Sequence, residues 1–169
     1  FSRDDTHKLL NYLRCIIEPY SLAIQLSFYL FIRVGETKAI RWEDIDYNNR
    51  LVYLHRQATC ERTLNDDLTF SSRKVKVVNQ MKGNTSHGFR KQFLTDEALK
   101  ILHKAKELNP NGIYVFEPNG EIMTTDSFNR RLKKYCKEAG VPYHSSHKIR
   151  FYNASTAFDG NNLTTLSYL

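Results

Sequence analysis

Apolar side chains keep helical spacing toward both ends of this 169-residue chain and switch to strict alternation in its middle. That switch sets the class of fold, because a period near 3.6 places one stripe of a helix on a core, whereas a period of two places one face of a strand there. Leu9, Leu10, Leu13, Ile16 and Ile17 follow the helical period. Pro19 opens a second helix that runs to about Phe31, and a third covers Gly35 to Arg41, ending at Trp42-Glu43-Asp44-Ile45-Asp46. Leu51 to Ala58 alternates and is rich in β-formers, Lys74 to Val78 does the same, and Phe89 to Leu94 returns after a turn of small polar residues, Gly83 to Gly88. The expected class is therefore α+β: a mainly helical domain carrying a small three-stranded antiparallel sheet, with Glu61 to Ser72 as a polar loop.

Helix punctuation supports the same reading. Ser2 stands three residues before Asp5 as an N-cap, Thr95-Asp96-Glu97 caps a helix carrying Leu99, Ile101, Leu102 and Leu108, and Thr125-Asp126 caps a basic helix from Ser127 to Ala139 that Gly140 closes. Asn109 to Gly112 and Pro118 to Gly120 read as turns. A further helix is expected from about Ser146 to Phe158, ended by Asp159-Gly160, with Asn162 opening a last one.

Lys and Arg number 25 against 18 acids, a formal charge of +7, and a basic surface favours a polyanion such as nucleic acid. The three cysteines, Cys15, Cys60 and Cys136, are odd in number and widely spaced, so they frame neither a disulfide scaffold nor a zinc knuckle and fit a reducing, cytoplasmic setting. The apolar run from Leu22 to Ile32 is short and interrupted by Gln25 and Ser27, which suits a buried helix rather than a membrane span. The chain opens on Phe1 and stops at Leu169 within a helical pattern, so it reads as part of a longer protein whose 1–169 portion is one domain.

Three places carry chemistry. Arg33 and Glu36 lie three apart at a helix start, where an acid can orient a phosphate-gripping guanidinium; an ordinary surface ion pair has the same spacing. His147 and Arg150 repeat that spacing, giving a second guanidinium beside an imidazole able to bond a phosphate or carry a proton; a half-buried histidine beside a solvated arginine is the plainer account. Lys82 precedes Gly83 at a hairpin tip, from which its ammonium could protonate a departing oxygen, with Lys76 the alternative in the same hairpin. Around these, Arg130, Lys133 and Lys137 on the basic helix and Lys74 and Lys76 on the hairpin could meet a DNA backbone, or form solvated faces. His144 and His147 lack a third ligand nearby, so a metal site is not expected.

In combination these segments resemble the catalytic domain of the tyrosine recombinases, the phage and transposon integrase family. Phe31-Ile32-Arg33-Val34-Gly35-Glu36 with Ala39 to Asp46 is similar to that family's first arginine box, roughly Thr-Gly-Leu-Arg-x-Gly-Glu and then Leu-x-Trp-x-Asp-Ile-Asp. Arg90 to Thr95 resembles its third strand, with Lys82 just ahead, and Ser146 to Arg150 resembles its His-x-x-Arg box, followed by a small residue, Ala154. The likeness spans nearly the whole chain. Leu30-Phe31 stands where Thr-Gly is usual, Phe93 where proline is common, and Phe151 where a second histidine often follows the arginine.

The resemblance implies a catalytic-domain fold of that family and a strand exchange through a 3′-phosphotyrosine, without metal or other cofactor. Arg33 and Arg150 would hold the non-bridging oxygens, Lys82 would protonate the 5′ oxygen, His147 would assist at the phosphate and Glu36 would position Arg33. Lys74, Lys76, Arg90, Arg130, Lys133 and Lys137 would contact duplex DNA, the partner, within a tetrameric synaptic assembly in a bacterial cytoplasm at the nucleoid. The family's Leu-Gly-His box and nucleophilic tyrosine would follow Leu169, and Tyr168 falls before both. The competing readings are a basic DNA-binding module without chemistry and a metal-dependent nuclease; the latter lacks an Asp/Glu/His cluster in the sequence.

Overall fold

The computed structural model describes residues 1–71, 74–79 and 90–149. The hairpin turn expected from Gly83 to Gly88, Phe89, and the helices expected beyond residue 149 lie outside these residues. The helical half forms as its caps dictate. Helix α1 (Arg3–Arg14) starts where the Ser2 hydroxyl accepts from the Asp5 N–H at 3.0 Å. Helix α2 (Pro19–Leu30) is buried nearly all round, from Ser21 through Phe28 and at Leu30, so it is the hub of the core. It packs against α1, α3 (Val34–Ala39), α4 (Asp96–Leu108) and α5 (Thr125–Glu138).

The polar residues that interrupt the apolar run of α2 have structural work. A helix end leaves carbonyls without intrahelical partners. The Ser21 hydroxyl and Gln25 Nε2 both donate to the Leu13 carbonyl in the last turn of α1, at 3.0 and 3.1 Å. Ser27 bonds the Ala23 carbonyl at 2.9 Å and the Thr37 hydroxyl at 2.8 Å, tying α2 to α3. Among the described residues no helix is long and apolar enough to cross a membrane.

The α+β class is as expected, and the strands are arranged differently. The three-stranded antiparallel sheet is β1 (Ile45–Asp46), β2 (Leu51–Leu54) and β5 (Arg90–Phe93), in that order. Strands β3 (Gln57–Glu61) and β4 (Lys74–Val78) form a separate two-stranded sheet, with Gln57 opposite Val78 and Glu61 opposite Lys74. The single strand expected from Leu51 to Ala58 is broken at His55-Arg56. The reason is electrostatic. Arg56 Nη1 reaches both carboxylate oxygens of buried Asp44 at 2.7 Å, its Nη2 reaches Glu43 at 2.6 Å, and His55 Nε2 lies 3.4 Å from Asp44. These bonds pin the corner to the 3₁₀ turn Trp42–Asp44 and send β3 away from the sheet, onto α3.

Helix α4 begins as expected, with the Thr95 hydroxyl accepting from the Ala98 N–H. Helix α5 starts slightly earlier than expected: Thr124 is its N-cap, bonded to the Ser127 N–H at 3.0 Å. Its end is a Schellman turn, with Gly140 at φ +67° and the Val141 N–H donating to the Cys136 carbonyl. The chain then returns along α5 and is helical again at 146–149.

Candidate active site

The first half of the site is built at the α2–α3 junction. Phe31 ends α2 in the left-handed region, φ +56° and ψ +31°, which turns the chain sharply enough for Arg33 to become the N-cap of α3. Glu36, one turn on, is 1% exposed. Its carboxylate accepts the Arg33 N–H at 2.7 Å, Arg33 Nη1 at 3.2 Å and Arg90 Nη2 at 2.5 Å. A buried carboxylate demands such partners, and here two guanidiniums supply them. Arg33 keeps 43% of its side-chain surface open, while Arg90 is 15% exposed.

The second sheet packs over this helix at Gly35. A Cβ there would lie 3.4 Å from the Ala58 carbonyl oxygen of β3. The close approach makes one wall of a cleft of about 480 Å³. Arg33 and Gly35 line it on one side, Ala58 on another, and Thr125, Asn129 and His147 on the far side. The far wall is fixed by α5, where Asn129 Oδ1 accepts the Ser146 N–H at 2.9 Å at the start of the helical segment that carries His147.

The structure therefore brings Arg33 and His147, 114 residues apart in sequence, to one cleft, with Glu36 buried behind Arg33. Lys82 and Arg150 lie outside the described residues. Arg90 sits behind Arg33, turned toward Glu36. Lys76 pairs with Glu61 at 3.3 Å, both side chains more than half exposed, and Lys74 is exposed opposite Glu61 in the register. Arg130, Lys133 and Lys137 line a second groove, of about 580 Å³, on the outer side of α5 with Lys134, Val141 and Tyr143. His144 packs edge-on against Phe1, ring centroids 5.0 Å apart.

Two contributors had no signal in the sequence. Lys38 is fully buried, and its Nζ donates to the Thr125 hydroxyl at 2.9 Å. Burial disfavours the ammonium and pushes its pKa below the ordinary lysine range. Asn129 is the other: a helix cap is sought next to the helix it serves, and this one comes from 17 residues away.

This architecture has known relatives. The sequence model of the family described as "Phage integrase family" matches residues 1–158. A curated tyrosine recombinase XerC-like protein of Caldanaerobacter subterraneus subsp. tengcongensis is 26% identical over 160 residues, 85% of this chain and 40% of that protein. In fold, the Tn1549 transposon integrase, solved with transposon right end DNA, superposes with a TM-score of 0.71 at 17% identity, over 99% of this chain and 56% of that one. The lambda integrase catalytic core gives 0.62 at 15% identity, over 95% of this chain and 84% of that one. The chain thus spans well under two thirds of the recombinase and of the transposon integrase it matches. The span of the family match, from the first residue through the His-x-x-Arg box, assigns the chain: it belongs to the phage integrase family.

Proposed function

We propose that residues 1–169 are the catalytic domain of a site-specific DNA recombinase that binds duplex DNA and cuts and rejoins its strands through a 3′-phosphotyrosine. The observation that carries the reading is the shared cleft of Arg33 and His147, with Arg33 anchored by buried Glu36 and its outer face open. A guanidinium held on one side by a carboxylate presents its remaining N–H groups in a fixed direction, where they can hold two oxygens of a phosphodiester.

In the proposed step a tyrosine oxygen, supplied beyond the described residues, attacks the scissile phosphorus while the bond to the 5′ oxygen breaks. A phenol has a pKa of about 10, so its proton must leave as the bond forms, and it passes to water in the cleft. Arg33 and Arg150 take the charge that grows on the non-bridging oxygens. His147 bonds the phosphate, and Lys82, with Lys76 as the alternative, gives the 5′ oxygen its proton. Arg90 and Glu36 act through Arg33. The phosphotyrosine conserves the ester linkage, so rejoining is the reverse attack by a 5′ hydroxyl and consumes no cofactor. Arg130, Lys133, Lys137 and Lys74 meet the duplex backbone, and four copies assemble around two duplexes at the bacterial nucleoid.

A nicked suicide duplex incubated with the full-length protein tests this. The expected product is a covalent protein–DNA adduct. Arg33→Lys should lower adduct formation by about 100-fold, since removing one preorganised donor from developing charge costs that much, and should leave duplex affinity nearly unchanged. Tight binding without any adduct would favour a DNA-binding module that performs no chemistry.

A further inference from the structure

We propose that α5 is a brace between the two halves of the cleft, with Lys38 and Asn129 as positioning residues that set the spacing between Arg33 and His147. The inference rests on the recombinase reading of that cleft. Lys38 belongs to α3, the helix that Arg33 caps, and its Nζ reaches the hydroxyl of Thr125 at the first position of α5. Asn129 lies one turn further along α5, on the same face as Thr125, and both line the cleft. Its Oδ1 receives the N–H of Ser146. Two side-chain bonds, about 6 Å apart along one helix, therefore connect the segment bearing Arg33 to the segment bearing His147.

The chemistry of each bond suits positioning. The first N–H groups of a helix have no intrahelical acceptor, so the orientation of 146–149 depends on what caps it. Here the cap is a side chain of the neighbouring helix, which fixes both the direction of the segment and its distance from α5. Lys38 is 0% exposed, and a buried ammonium is costly to retain. A methionine of similar length would fill the same volume without that cost. What it would not supply is a directed donor that locks α3 to the first turn of α5.

The test uses the full-length protein with Asn129→Ala, Asn129→Asp and Lys38→Met. With Asn129→Ala, the Ser146 amide should exchange about fivefold faster, as expected for a lost cap, and Asn129→Asp, whose carboxylate accepts the same N–H, should restore protection. Adduct formation at saturating suicide duplex should fall roughly 10- to 100-fold for Asn129→Ala and for Lys38→Met, the penalty of small misplacement of reacting groups. Duplex affinity should stay within about twofold, the sign of a loss confined to the transition state. Adduct formation at the wild-type rate in Asn129→Ala overturns the proposal, as does a parallel fall in affinity and melting temperature. If the wild-type protein forms no adduct, the recombinase reading is what fails. The brace is then judged on inorganic phosphate titrated against the His147 ring signal: weakening of about tenfold or more in Asn129→Ala sustains it, and unchanged affinity overturns it.

Discussion

Arg90 Nη2 lies 2.5 Å from Glu36 Oε2, although 54 residues separate them in sequence. This contact ties the last strand of the three-stranded sheet to the first turn of α3, directly behind Arg33. The carboxylate is 1% exposed and holds two cations, so removing its charge leaves two guanidiniums facing a neutral amide. Glu36→Gln should cost about 3 kcal/mol of folding stability, the usual result of breaking a buried pair. Arg90→Met should cost less, about 2 kcal/mol, because Glu36 keeps the Arg33 N–H and Nη1. Urea unfolding of the three proteins checks the ranking; equal stability of all three would show that the pair is without energetic weight.

Gly35 is a test of close approach. An alanine Cβ would sit 3.4 Å from the Ala58 carbonyl oxygen and 3.8 Å from the Gln57 Cβ, ordinary contact distances. Alanine also has the higher helix propensity. Gly35→Ala should therefore change stability by no more than about 0.5 kcal/mol. Gly35→Val adds methyl groups toward β3 and should cost about 2 kcal/mol through overpacking, with the two-stranded sheet displaced from α3. A thermal unfolding series reads both, and a valine variant as stable as alanine would mean that β3 does not pack where it is placed here.

The sequence made the helices and the two halves of the cleft legible, because their signals are local. Spacing and caps marked α1, α2, α4 and α5, and the two motifs singled out Arg33 and His147, which line one cleft. What escaped is non-local. The break at His55-Arg56 depends on Asp44, twelve residues upstream, so alternation alone ran through it. The contact of Arg90 with the Glu36 carboxylate joins two elements 54 residues apart, which no local spacing marks. Lys38 sits in a short helix buried from Glu36 to Ala39, where no periodicity sets it apart.

Phe31 carries a departure that was visible in sequence and has a measurable consequence. It occupies the left-handed region, where a Cβ is strained by about 1–2 kcal/mol and glycine is not. Truncation of the half-buried ring is common to Phe31→Ala and Phe31→Gly, so comparing the two isolates the backbone. Phe31→Gly should be the more stable by about 1 kcal/mol, reversing the alanine-over-glycine order of ordinary helical sites. The usual order in a denaturation series would show that the α2–α3 turn relaxes instead.

Lys38 gives the stability curve a signature. Burial pushes its pKa below the ordinary lysine range. Between the native and unfolded values the unfolded chain binds more proton, so stability rises with pH across that window; below the native value the full penalty of the buried charge remains. Lys38→Met should therefore match or exceed the wild type at neutral pH, by about 1 kcal/mol, and the gap should close as pH climbs toward the ordinary lysine range. Chemical unfolding of both proteins across that range measures it. A gap that does not change with pH would place the Lys38 amine in water.

The outer face of α5 makes a prediction about salt. Lys133 and Lys137 lie one turn apart beside Arg130 and, with Lys134, line the second groove. Each lysine that meets a DNA phosphate displaces a condensed counterion, so the slope of log affinity against log salt counts such contacts, about 0.9 per phosphate on B-form DNA. Lys133→Ala and Lys137→Ala should each weaken duplex binding to a similar degree across unrelated sequences, and each should flatten the slope by about one unit. Glu97 and Lys100, bonded to each other at 2.9 Å on α4, provide the control: Lys100→Ala removes one positive charge from a different face and should leave the slope unchanged. If all three substitutions flatten the slope equally, the effect belongs to net charge, and α5 does not follow the duplex.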